Sequence, residues 1–179
     1  LLTCGIFDAG MPFLRISYYF TSATLVALGL HAIYYFRTAL DIRYVIFLAL
    51  ATLGADTFAY FVGRAIGKRK LNPRLSPKKT IEGSIGGIVC GGLLGLAYAY
   101  CVQIPYSLPY LALMSFVLAT TGQIGDLTFS SIKRTFEVKD YSQIFPGHGG
   151  VLDRIDSLLS ATPIFAAGLY LLKFMGIAV

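Results

Sequence analysis

The run PGHGGVLDRIDSLLSATPIFAAGLYLL, residues 146–172, decides how this chain is read. It opens as a glycine-rich turn and continues as an apolar segment of membrane-spanning length. Asp153, Arg154 and Asp156 stand at the mouth of that segment. An ionisable group there needs a partner, a wet cavity or a ligand. Gly147, Gly149 and Gly150 allow φ > 0 and close approach to the backbone. A nest of N–H groups followed by a helix N-terminus suits an anion. His148 can donate to a phosphate or shuttle a proton. A plain interfacial turn with an exposed His148 is the simpler alternative.

The rest of the chain has the same character. Of 179 residues, 56% are hydrophobic and 13% charged, against about 25% charged in soluble domains. Mean hydropathy is +0.69. Apolar runs near 14–36, 43–63, 82–102, 108–132 and 152–175 predict an all-α, polytopic transmembrane bundle with five spans. The expected organisation is one integral membrane domain over 1–179. Residues 1–50 are its motif-free hydrophobic part, and 56–156 hold the motifs. The chain starts at Leu1 without a cleavable-signal pattern, so the native N-terminus is expected upstream. Cys4, Cys90 and Cys101 have no metal or redox spacing. Trp is absent, which leaves the 12 Tyr to form an interfacial belt.

Lys and Arg predict sidedness. Arg64, Lys68, Arg69, Lys70, Arg74, Lys78 and Lys79 lie between the second and third spans, and Lys133, Arg134 and Lys139 between the fourth and fifth. Parity puts both groups on one face, expected to be cytoplasmic. Arg37 and Arg43 fall on the other face and argue mildly against this. In the third span, Gly83, Gly87, Gly91 and Gly95 make a small-residue stripe, fit for an intramolecular contact or a homodimer.

Four carboxylates, Asp56, Asp126, Asp153 and Asp156, lie in or at the ends of predicted spans. Asp126, Ser130 and Arg134 share a helix face, as do Asp153 with Asp156 and Asp56 with Tyr60. Asp126 could simply pair with Arg134 or Arg154. Oxygen ligands suit Mg²⁺, Mn²⁺ or Ca²⁺, and neighbouring Lys and Arg suit phosphate. With two His in the chain, zinc is disfavoured. The basic segment NPRLSPKKTIEG, 72–83, can also serve topology and anionic head groups, with Ser76-Pro77 as a plain helix start. Basic residues confined to loops, with no recognition fold, argue against nucleic acid.

Three blocks resemble the CDP-diacylglycerol synthases, also called phosphatidate cytidylyltransferases. SSIKRTFEVKDYSQIFPGHGGVLDRID, 130–156, carries Ser130, Lys133-Arg134, Lys139-Asp140, Ser142, Pro146, His148-Gly149-Gly150, Asp153-Arg154 and Asp156 at signature positions. DTFAYFVGRAIGK, 56–68, and LSPKKTIEGSIGG, 75–87, resemble the same family, and Gly125-Asp126-Leu127 also fits. Ile81 and Ala55 depart from the common Trp and Asn, and members usually carry more N-terminal spans. The resemblance implies CTP and phosphatidic acid as substrates, CDP-diacylglycerol and pyrophosphate as products, and one or two Mg²⁺ or another cation. It implies Asp126 and Asp153 as metal ligands, with Asp156 in or beside the coordination sphere. Lys133, Arg134, Lys139 and Arg154 are expected to grip phosphate, and His148 to touch it. Ser76, Lys78, Lys79 and Thr80 are expected at the triphosphate or lipid phosphate. Ser130, Gly149 and Gly150 are expected to bind substrate, and Asp56 and Tyr60 to line the cavity or support Arg64. A bacterial inner membrane is the expected location. The competing readings are a CTP-dependent polyprenol or phytol kinase and an ion or phosphate transporter. No internal repeat supports a transporter, and the dense Asp motif of CDP-alcohol phosphotransferases is absent.

Overall fold

Each apolar run forms a helix in the computed structural model, which describes residues 13–138, 140–142 and 150–176. Helix α1 spans Phe13–Tyr35 and runs into a π-helical turn, Phe36–Leu40. Helix α2 is Ile42–Ile66, α3 Ile81–Cys101, α4 Leu108–Thr135 and α5 Leu152–Phe174. All five are long and apolar enough to cross a membrane, so the chain reads as an integral membrane protein. Helix starts follow local chemistry. Extended Asp41 accepts the Arg43 N–H at 2.9 Å ahead of α2. Pro109 sits in the first turn of α4, where its missing donor is harmless.

The glycine stripe is taken up within the chain. A Cβ on Gly83 would stand 2.6 Å from the Ala59 carbonyl, and one on Gly91 2.5 Å from the Ala55 nitrogen. Helices α2 and α3 therefore meet backbone to backbone, and this face is not one a homodimer could use. Within α5, Pro163 cannot donate to the Leu159 carbonyl one turn back. Helix α1 approaches that spot through Gly29, where a Cβ would lie 2.9 Å from the Leu159 oxygen.

Phe36, Phe47, Leu48, Leu118 and Phe165 are fully or nearly fully buried. Rings of Phe36 and Phe47 flank Phe165 at 5.2 and 5.5 Å. This core lies toward the ends of α1 and α5 and the start of α2, away from Asp153. The opposite end of the bundle is left for polar groups. There α2 and α4 finish and α3 and α5 begin, so both basic segments emerge together, as charge parity predicts. At the far end Arg43 pairs with Asp41 at 3.3 Å and donates to the Val102 carbonyl at 3.2 Å. Local pairing thus accounts for one of the two cations that argued against the parity.

One element is missing from the sequence expectation. Lys70–Asn72 (β1) and Ser76–Thr80 (β2) form an antiparallel hairpin between α2 and α3.

Candidate active site

The hairpin is built by side chains that satisfy backbone donors. Asn72 Oδ1 accepts the N–H groups of Arg74 and Leu75, each at 3.2 Å, and so closes the turn. Glu82 accepts the N–H of Lys68 at 3.1 Å and that of Arg69 at 3.2 Å. Ile81 donates to the Arg69 carbonyl at 2.9 Å. These bonds fasten the hairpin to the start of α3. Thr80 caps that helix, its Oγ1 accepting the Gly83 N–H at 3.1 Å. Ser76-Pro77 is therefore not a helix start: pairing with β1 holds it extended, and the cap comes four residues later. Beneath the hairpin is a cavity of about 470 Å³, with Asp56, Tyr60, Arg64, Lys70, Ser76, Lys78, Lys79, Thr80 and Ser84 in its wall. Arg64 leans on the Tyr60 hydroxyl at 3.5 Å.

A second cavity, about 310 Å³, is lined by Asp56, Lys79, Asp126, Asp153, Asp156 and Ser157, with Leu53 and Thr57. Lys79 forms an ion pair with Asp126 Oδ2 and stands 3.8 Å from Asp56 Oδ1. Asp56 Oδ1 is buried without a hydrogen-bond partner among the described residues. Ser130 donates to Asp126 Oδ1 at 3.4 Å. Arg134 turns away to the Val138 carbonyl at 3.4 Å, so among the described residues the cation of Asp126 is Lys79 and not Arg134.

Asp153 is more fully engaged. Its Oδ1 accepts Lys133 Nζ at 2.8 Å, and its Oδ2 accepts the N–H groups of Tyr141 and Gly150, both at 2.9 Å. The side chains of Lys133 and Asp153 are 10% and 7% exposed. The Lys133 ammonium lies 5.3 Å from the centre of the Tyr141 ring. Burial first, then the charges of Asp153 and Asp156, push the Tyr141 phenol up to about 12, so it stays neutral. It donates to the Phe129 carbonyl at 3.4 Å.

Four carboxylates line this cavity, and two ammonium groups pair with them among the described residues. Among the described residues carboxylates thus outnumber ammonium groups here, one Asp56 oxygen has no hydrogen-bond partner, and all the donors are hard oxygens. That donor set fits Mg²⁺, which takes one or two carboxylates and completes its shell with water and phosphate. Among the described residues no group of three or more His, Cys, Asp or Glu is arranged to hold an ion. Asp126, Asp153 and Asp156 thus line one cavity without forming a ready three-carboxylate cage.

The model of the cytidylyltransferase family matches residues 6–172. The chain belongs to that family. It is 44% identical over 122 residues to a phosphatidate cytidylyltransferase of Bacillus subtilis strain 168, covering 68% of this chain and 45% of that protein. To the protein of the same name from Staphylococcus epidermidis RP62A it is 42% identical over 146 residues, covering 81% and 56%. The chain thus spans about half the length of these relatives. A solved structure of an intramembrane enzyme of archaeal membrane lipid biosynthesis shares the fold, with a TM-score of 0.52 and 24% identity. That match covers 75% of this chain and 93% of the other.

Against the sequence expectations, the structure gathers Asp56, Asp126, Asp153, Asp156 and Lys79 in one cavity and Ser76, Lys78, Thr80 and Tyr60 in its neighbour. Ser130 and Lys133 reach the acidic cavity through Asp126 and Asp153, and Gly150 through its N–H. The hydroxyl of Thr80 serves the helix cap. Lys139, His148 and Gly149 lie outside the described residues, as does the side chain of Arg154. The cavity walls add Lys70, Ser84 and Ser157, which the reading of ionisable groups within spans passed over. Beside Ser84 lies Gln123, a polar residue one turn before Asp126. Its polarity inside an apolar span was the available signal.

Proposed function

We propose that the chain is the catalytic part of a phosphatidate cytidylyltransferase, which joins CTP and phosphatidate into CDP-diacylglycerol and releases pyrophosphate. One observation carries this beyond family membership: Lys79 and Asp56 border both cavities. A hollow lined by cations thus adjoins one lined by carboxylates, as a reaction between two phosphate compounds requires. A phosphatidate phosphate oxygen attacks the α-phosphorus of CTP in line, and the bond to the β-phosphate oxygen breaks. The nucleophile is already anionic near neutral pH, so no strong base and no covalent enzyme intermediate are needed. Catalysis is then positioning and charge neutralisation.

Lys78, Lys79, Arg64 and Lys70 offer the cationic wall, with Ser76 and Tyr60 as hydroxyl contacts. Lys133, Arg134, Lys139, Arg154 and His148 remain the proposed phosphate contacts on the signature side. Asp126 and Asp156 would hold Mg²⁺. Asp153 would join them by exchanging one of its present donors. When bound, Mg²⁺ supplies charge neutralisation at phosphate oxygens. The positive-inside rule and the bacterial relatives support an active site on the cytoplasmic face of a bacterial inner membrane.

The test is the purified protein with phosphatidate or, separately, a polyprenol in mixed micelles and CTP labelled at the α- or γ-phosphate, with Mg²⁺ or a chelator. Label from the α-phosphate in the lipid, with pyrophosphate released only when Mg²⁺ is present, is expected. Label from the γ-phosphate in the lipid with release of CDP would instead establish a kinase. Solute movement across reconstituted vesicles without CTP consumption would point to a transporter.

A further inference from the structure

We infer that Gln123 and Ser84 form a clasp that positions Lys79 against Asp126. The inference rests on the nucleotidyl transfer proposed above. Gln123 is 5% exposed, and both ends of its amide are used on one residue. Its Oε1 accepts the Ser84 hydroxyl proton at 2.5 Å, and its Nε2 donates to the Ser84 carbonyl at 3.1 Å. Gly87, one turn along α3, makes room, since a Cβ there would lie 2.7 Å from Nε2.

The location gives the clasp its significance. Gln123 precedes Asp126 by three residues, so both lie along one side of α4. Ser84 follows Thr80, the cap, by four residues, and Lys79 is the residue before the cap. The clasp therefore ties the first turns of α3 to the turn of α4 that carries Asp126. Across that tie Lys79 reaches its carboxylate. Ser84 also lies in the wall of the basic cavity.

Bulk packing does not need this contact. Helix α3 is fixed to α2 by the glycine stripe, and to α4 farther along by the Ser115 hydroxyl on the Gly92 carbonyl at 2.6 Å. Interhelical hydrogen bonds in membranes contribute modestly to stability. A displacement near 1 Å at a reacting centre, by contrast, lowers turnover by about a hundredfold. Loss of the clasp should therefore spare the fold and reduce chemistry. Gln123 is a positioning residue in this scheme, since it lines neither cavity itself and reaches the basic one only through Ser84.

The test compares Gln123→Leu, Ser84→Ala and the double variant with the full wild-type protein. For Gln123→Leu, kcat is expected to fall about ten- to a hundredfold, with KM for CTP and phosphatidate changed less than about threefold and the thermal midpoint little changed. The double variant should be no slower than Gln123→Leu alone, because the hydroxyl acts through the amide. An unaltered kcat, or losses that multiply in the double variant, would overturn the clasp.

A second measurement does not depend on turnover. Acylation of Lys79 by a small amine reagent, read by mass spectrometry against exposed Lys68, should rise when the clasp is cut. If wild type turns over no CTP, the proposed function fails, and Lys79 labelling still decides the clasp. If Gln123→Leu does not fold, Ser84→Ala decides it by the same labelling, and labelling equal to wild type rejects it.

Discussion

Helices α2 and α3 meet along glycines, largely backbone to backbone, whereas the hairpin, α4 and α5 meet through charged side chains. In the first contact, hydrogens of Gly83, Gly87 and Gly91 face the backbone of Ala55 and Ala59. In the second, Lys79, Lys133, Asp126 and Asp153 span the gaps. The glycine contact has one geometry and no chemistry. The charged contact has a spare acceptor on Asp56, more carboxylates than ammonium groups among the described residues, and cavities. The glycine seam thus holds the base of the hairpin, so that Lys79 at its end meets Asp126 and Asp56 in register.

The contrast is broken most severely at the seam. Gly91→Leu should yield no folded protein, because even a Cβ would lie 2.5 Å from the Ala55 nitrogen. Recovery in detergent by gel filtration reads this directly. Asp126→Asn keeps the volume and should fold normally, with turnover reduced at least about a hundredfold. Thermal midpoint and CTP turnover measured on the same sample separate these two kinds of damage.

Within the charged region the expected order is also specific. Asp153→Leu should destabilise more than Lys133→Met. The first strands a buried ammonium and two N–H groups, and the second strands one carboxylate that keeps both N–H donors. Breaking one partner of a buried pair costs about 3–5 kcal/mol, which detergent-melting experiments resolve. Thr80→Ala removes the cap of α3 and should cost about 1 kcal/mol. If KM for CTP rises instead while stability holds, the Thr80 hydroxyl serves substrate more than the helix. The smallest effect belongs to Arg43→Ala at the far end, where an exposed pair contributes about 0–1 kcal/mol. Turnover there should be unchanged.

The helices were legible because length and hydropathy alone specify them. The apolar runs near 43–63 and 82–102 became Ile42–Ile66 and Ile81–Cys101. The hairpin was not legible. Its strands are short and polar, Pro77 lies inside the second and Pro73 directly follows the first, and Glu82 and Asn72 hold it by tertiary and turn bonds. The four carboxylates stood out because charge inside an apolar span is expensive. Their partners did not, because helical spacing pairs Asp126 with Arg134, whereas the cation that arrives comes from another element. Gln123 was overlooked because it carries no charge to draw attention.

Lys79 has one further consequence. Because a single ammonium answers to both Asp56 and Asp126, the two hollows cannot fill independently. An anion that draws the amine toward the hairpin leaves the carboxylates more exposed to a cation, and a cation among the carboxylates frees the amine for an anion. On the proposed function, each guest would strengthen the other by the same factor, and the reactive complex would assemble cooperatively.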